Sequence, residues 1–478
     1  MQLNSVLLPP KVLWISTLVL ASHQVSSAQT VQELKDLSAF KDPGATWQMA
    51  GSVRADLETP GELVFSAGNS VLVNYPTKKK PGQDLYSVNE YGDMDLELDY
   101  LMARGSNSGI YLQGRYEVQL LDSWGVQNPT YGDNGGIYER WDASQPAGSE
   151  GFEGWAPRQN ASRAPGVWQH IKISFRAPRF DASGSKTENA LIERIELNGT
   201  LIHENVVLSG PTRGPMSETE VAKGPLRFQG DHGAVAFRNI RITHYENGKE
   251  MAQEEERSLP DPIFVNAPVN TTLRSFMDIP GGKRVVHNIS AGSARQVHYS
   301  YDLDHGSLYQ VWRGGFLDAT PMWHSRGDGS SRPQGARVFL GEPVLAVAQL
   351  GSTKDSWPAD TTGSGFVSDG YKLDGENQPV FAYRVYGATV RDASSATQEG
   401  QGLVREISVS GGNQPLYHLA ARSETIQQVS KDTYLIGDNQ WYIRLLSLNG
   451  AKPILRKSEG KQELLIPINQ KISYSILF

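Results

Sequence analysis

Cysteine is absent from the 478 residues. That excludes disulfides, thiolate catalysis, thiolate metal sites and haem attached through a C-x-x-C-H motif. It also excludes a lipid-anchored N-terminal cysteine. Blocks of basic charge are lacking: 45 Lys and Arg stand against 52 Asp and Glu, a formal charge of −7. No nucleic-acid partner is therefore expected. Long apolar runs are scarce. One, Val12 to Ala21, follows Lys11 and leads to Ser26-Ser27-Ala28. A basic start, a short apolar middle and a small-residue end describe an export signal cut near Ala28–Gln29. The run is too short to span a membrane, and no second stretch approaches that length, so no membrane span is expected after cleavage. The expectation is an exported protein, periplasmic or secreted. Large domains without disulfides suit a bacterial periplasm. Asn-X-Ser/Thr occurs at Asn160, Asn198, Asn270 and Asn288, which carries no meaning in a bacterium.

Helical periodicity is equally scarce. Residues 30–38, VQELKDLSA, are the one short helix expected. Elsewhere short alternating segments are separated by turn residues. Asp93 to Tyr100 alternates strictly, with Met94, Leu96, Leu98 and Tyr100 set for a core and four acids set for water. Trp168 to Phe175 and Val235 to Ile242 read as strands. Ile192 to Leu197, Asn198-Gly199 and Thr200 to Val206 read as a hairpin with a tight turn. Residues 29–246 are thus expected to form a β-sandwich. The charged, proline-ended stretch 247–261 is a linker candidate. Strand patterns resume across 262–478, predicting a second β-rich domain, with a possible subdivision at the Gly, Ser, Asp and Thr of 350–375. The whole chain is expected to be all-β.

Asn107 to Asp122, NSGIYLQGRYEVQLLD, reads as one strand-like run with Glu117, Gln119 and Asp122 set among apolar residues. Polar groups inside a β pattern are costly to bury without partners, so they mark a solvated face or a site. Four islands accompany one another in order: NSGIYLQ at 107–113, EVQLLD at 117–122, GGIY at 135–138 and QGDHGAVAFRNIRI at 229–242. Between them lie APGVWQHIKI at 164–173 and LNGTLIHEN at 197–205. Over about residues 45–245 this set resembles the 3-keto-disaccharide hydrolase family. The resemblance implies a concanavalin-like jelly-roll sandwich and cleavage of glycosides already oxidised at C3. The chain departs from the family's pattern at Gln113, where members often carry Arg, and in an insertion around 139–165. The stretch 301–330 resembles a module found beside bacterial sugar dehydrogenase or cytochrome-like domains; no activity follows from it.

Ordinary glycosidases need two carboxyls, about 5–5.5 Å apart for retention or about 6.5–9.5 Å for inversion. The alternate neighbour of Glu117 is Gln119, not an acid, and Asp122 lies roughly 16 Å further along an extended strand. A 3-keto sugar needs less. Its ketone acidifies the C2 proton, a base removes it, and the C1 aglycone leaves, with water completing a net hydrolysis. Candidates for catalysis are Glu117, His232 and Asp122, with Glu117 or His232 as base. Candidates for substrate binding are Gln119, Tyr138, Arg238, Tyr111, Gln113 and Trp124, with Tyr138 or Arg238 steadying the developing charge.

Each has a plainer alternative. Glu117 and Gln119 could line a solvated face, Asp122 and His232 could shape turns, and Arg238 could pair with a sandwich acid. A divalent metal (calcium, manganese or zinc) remains open, although no H-E-x-x-H or calcium-loop pattern occurs. Asp302-Leu303-Asp304-His305 reads first as a turn. Trp323 to Gly329 reads as a loop. Two other functions stay open: a non-catalytic carbohydrate-binding protein using Trp124, Tyr131, Trp141 and Trp155 as platforms, and a scaffold in a periplasmic sugar-oxidation system with a separate oxidoreductase.

Overall fold

The computed structural model describes residues 29–246, 248–249, 261–324, 329–412 and 414–478. The expected export signal and nearly all of the expected linker lie outside these residues, as do Ser325 to Asp328 of the polar loop. Two antiparallel sheets form the first sandwich. The larger runs in the order Thr200–Leu208, Ala190–Leu197, Gln169–Arg176, Met94–Met102, Val235–Tyr245, Val71–Asn74 and Trp47–Ala50. The smaller runs Tyr116–Leu121, Asn107–Leu112, Gly224–Phe228, Leu85–Tyr91 and Phe40–Lys41. Alternation assigns the facing sides: Leu96, Leu98, Tyr100, Ile171, Ile173 and Phe237 from one sheet meet Ile110, Val118, Leu120 and Phe228 from the other. Asn198 and Gly199 both take positive φ, 52° and 76°, as a tight hairpin turn requires.

Three local expectations are corrected. The run 107–122 is not one strand but a hairpin, because Gln113 and Gly114 turn the chain with φ of 53° and 64°. Residues 30–38 form no α-helix. Gln29–Glu33 instead adds a strand to the free edge of Val235–Tyr245, and only Leu37–Ala39 coils, as a 3₁₀ turn; edge pairing overrides a weak helical preference. Of the four acids expected in water, Asp93 is buried, where it accepts from Ala177 N at 2.8 Å and pairs with Arg179 at 2.6 Å.

The second half contains sheets of six, four and eight strands around a shared core. Tyr301 stacks on Phe381 with ring centroids 3.7 Å apart, joining two of them. Asp304-His305-Gly306 is the turn of a hairpin, as expected, between Val297–Asp302 and Ser307–Asp318. Among the described residues no strand of 29–245 pairs with one of 264–477. The halves meet through side chains and one backbone hydrogen bond, from Trp168 N to Asn439 O at 3.0 Å. Leu57, Ala164 and Val167 pack with Leu435, Tyr442 and Leu477, and the Tyr442 hydroxyl donates to Pro165 O at 3.0 Å.

Candidate active site

Strand register builds a row of side chains on the outward face of the five-stranded sheet. Val118 and Leu120 point into the core, so Glu117 and Gln119 point away from it. Glu117 stands opposite Tyr111, Tyr111 opposite Arg227, and Arg227 opposite Tyr86. The segment 135–138 extends the sheet beyond Glu117. Gln119 N donates to Gly136 O at 2.8 Å and Tyr138 N to Glu117 O at 3.1 Å. Four of the expected residues, Tyr138, Glu117, Gln119 and Tyr111, are therefore neighbours.

Glu117 is only 3% exposed. Burial pushes its carboxyl up to about 8, and the charges of Asp84 and Asp231 push the same way. The Tyr111 hydroxyl, donating to Oε2 at 2.7 Å, and the Arg227 guanidinium hold it back from rising further. Arg227 lies 4.0 Å from the Tyr111 ring centroid and pairs with Asp84 at 2.6 Å. Burial raises the Tyr111 and Tyr138 phenols, so both keep their protons at neutral pH. Turned to satisfy its surroundings, the Gln119 amide donates to Glu117 Oε1 and Ser108 O, both at 3.2 Å. Glu117 N donates to Thr212 Oγ1 at 2.9 Å. Gly109 leaves the carboxylate its room, since a Cβ there would lie 2.3 Å from Oε1. The result is one buried acid–base group under a phenol and beside a cation, among neighbours that are themselves buried.

Residues 34–243 match the 3-keto-alpha-glucoside-1,2-lyase-like domain. A candidate glycosyl hydrolase from Parabacteroides distasonis ATCC 8503, solved at 2.13 Å, is 27% identical over 45% of this chain and 90% of its own, with a TM-score of 0.29. Another from that organism, at 2.00 Å, is 20% identical over 41% of this chain and 98% of its own, with a TM-score of 0.25. The botulinum neurotoxin serotype D binding domain is 9% identical over 91% and 92%, with a TM-score of 0.22. No curated protein matches.

The other expected residues of the lyase-like domain lie elsewhere. Asp122 caps the turn after its strand, accepting from Gly105 N at 2.8 Å and Trp124 N at 3.3 Å. Gln113 is buried in the hairpin turn, where Nε2 donates to Tyr91 O and Ala222 O, both at 3.1 Å. Trp124 faces the second half, donating to Gln401 O and Phe478 O. Arg238 belongs to the larger sheet of the sandwich, pairing with Asp99 at 3.2 Å and Asp438 at 2.6 Å, over the Trp168 ring. The cation of the row is Arg227 instead. His232 is half exposed on a turn and bonds Asp231 at 2.5 Å. That turn lies close enough for the charge of Asp231 to act on Glu117.

Arg227, Asp84 and Thr212 escaped the sequence reading of the lyase-like domain. Arg227 had a signal: it sits between Leu226 and Phe228, both core residues, just as Glu117 sits in its own apolar alternation. A cavity of about 530 Å³ lies at the other sheet, lined by Glu97, Asp99, His170, Arg238 and Arg241. Its charges are spent on each other: His170 bonds Asp99 at 2.7 Å, and Arg241 bonds Glu97 at 2.5 Å. Glu117 is the stronger candidate because burial and specific neighbours shift its proton affinity toward neutrality. Among the described residues, no three His, Asp or Glu side chains are grouped to hold a metal.

Proposed function

We propose that the lyase-like domain cleaves glycosides already oxidised at C3. One observation carries this reading: a buried carboxyl, Glu117, whose proton affinity lies near 8, with Gln119 rather than an acid at the alternate position of its strand. Such a site lacks the paired carboxyls of direct glycoside hydrolysis on this strand, yet it suits removal of a proton activated by a neighbouring ketone.

In this mechanism ionised Glu117 takes the C2 proton. The C2–H electron pair moves into the C2–C3 bond and the ketone becomes an enolate; its collapse restores the C3 carbonyl and forms the C1–C2 double bond of the enone as the C1–O bond breaks. Tyr138 supplies a proton to the departing oxygen, and the positive charge of Arg227 offsets the enolate that forms on the way. Addition of water to the enone completes a net hydrolysis. The ketone must come from a separate oxidoreductase acting on the sugar first.

The test is release of a chromogenic aglycone from a 3-keto-glucoside and from its unoxidised parent. Release from the keto sugar alone, with an enone visible by NMR, supports the proposal. Equal release from both sinks it. Sugar binding without release would favour the non-catalytic reading, which rests on the exposed rings of Tyr131 and Trp141.

A further inference from the structure

Residues 139–155 carry a small hairpin in which Arg140 pairs with Phe152 and Trp141 with Gly151. Three large rings here stay in water: Tyr131 is 36% exposed, and Trp141 and Phe152 are each 39% exposed. Two of them hold a cation against the ring. The Arg213 guanidinium lies 3.6 Å from the Trp141 centroid and that of Arg140 4.9 Å from the Phe152 centroid. Arg213 joins this hairpin to the catalytic row. Its N–H donates to Glu139 O at 2.8 Å, and its carbonyl lies 3.3 Å from the Tyr111 hydroxyl that also serves Glu117. At the other side Tyr131 meets Tyr138 edge-on at 5.7 Å, next to Glu117.

We infer that this hairpin is the aglycone subsite and that it selects a planar aromatic leaving group. The inference rests on the proposed cleavage at Glu117. A second sugar would need free polar side chains for its hydroxyls, and the polar groups here are engaged with each other. Arg140 pairs with Glu153 at 3.2 Å and Arg213 with Glu139 at 3.7 Å. Glu139 also receives the Tyr131 hydroxyl. What stays in water is the part of each ring that its guanidinium does not cover, and such a surface binds another flat ring by stacking. Tyr138 stands between this surface and Glu117, where the departing phenolic oxygen would need its proton.

The experiment compares wild type with Trp141→Ala and Phe152→Ala on 4-nitrophenyl, methyl and glucosyl 3-keto-glucosides. Circular dichroism confirms that each variant is folded. Expected is a rise of about tenfold in KM for the aryl substrate, the size of one good stacking contact, with kcat and the methyl KM unchanged. Calorimetric binding of 4-nitrophenol, lost in Trp141→Ala, reads the subsite without catalysis. If no 3-keto-glycoside is cleaved but that binding is present and lost in the variant, the cleavage proposal fails and the subsite stands. If wild type and variant bind the phenol alike, or the glucosyl substrate alone responds, the subsite assignment is overturned.

Discussion

Glu117 exchanges water for a phenol and an amide on folding, and its burial sets its proton affinity. An unfolded glutamate releases its proton near 4.5, whereas folded Glu117 holds it to about 8. Between these values the unfolded state binds fewer protons, so stability falls as pH rises through the window and stays lowered above it. The full difference is on the order of 5 kcal/mol. Glu117→Gln keeps an acceptor for Tyr111 but cannot ionise. Its melting temperature, measured by scanning calorimetry from pH 5 to 9, should gain on wild type as pH rises, while its kcat falls at least about a hundredfold. For wild type, kcat/KM should climb with pH toward a plateau above about 8. Tyr111→Phe removes the hydrogen bond that favours the charged carboxylate. Its pH–rate midpoint should therefore move to higher pH, and a midpoint left in place would argue against Glu117 as the base.

The hairpin of Asn107–Leu112 and Tyr116–Leu121 is the element that makes the row. Strand side chains alternate, so a slip of one residue would turn Glu117 into the core and Val118 out of it. The break at Gln113-Gly114 sets which residue Glu117 opposes. Gly109 sits one strand over, on the diagonal to the carboxylate. In Gly109→Ala the added methyl would displace the flexible Glu117 side chain rather than backbone. The fold should survive, with its thermal midpoint nearly unchanged, and kcat should drop by roughly a hundredfold, as for a reacting group moved by an ångström. Much of this element was legible in the sequence. Alternation in Tyr116–Leu121 identified Glu117 and Gln119 as outward polar residues. The turn was missed because Gln113 is a non-glycine residue at positive φ, which sequence pattern rarely signals. Arg238 was misplaced for a different reason: its strand alternates just as well, and alternation cannot say to which sheet a strand belongs.

At the scale of the molecule, the two halves share a small apolar cluster rather than a sheet. Tyr442 is its centre, fully buried and bonded to Pro165 O, and a Cβ on Gly166 would lie 2.3 Å from its hydroxyl. Asn439 Nδ2 adds bonds to Val53 O at 2.8 Å and Gly166 O at 3.0 Å. Tyr442→Ala should therefore destabilise by about 3–5 kcal/mol. It should also split one calorimetric transition into two as the halves lose their coupling; a single unshifted transition would show that this contact does not hold them together.

What the sequence determined by itself is local. Strand content, the hydrophobic face of most strands, the Asn198-Gly199 turn and the family resemblance of the first sandwich follow from patterns of a few residues. What only the tertiary structure decided is company. Tyr111 reaches Glu117 through a turn, Arg227 arrives on a neighbouring strand from far along the chain, and Thr212 and Arg213 come from a loop. Burial and proton affinity are properties of that company, because the cost of a charge depends on everything that displaces its water.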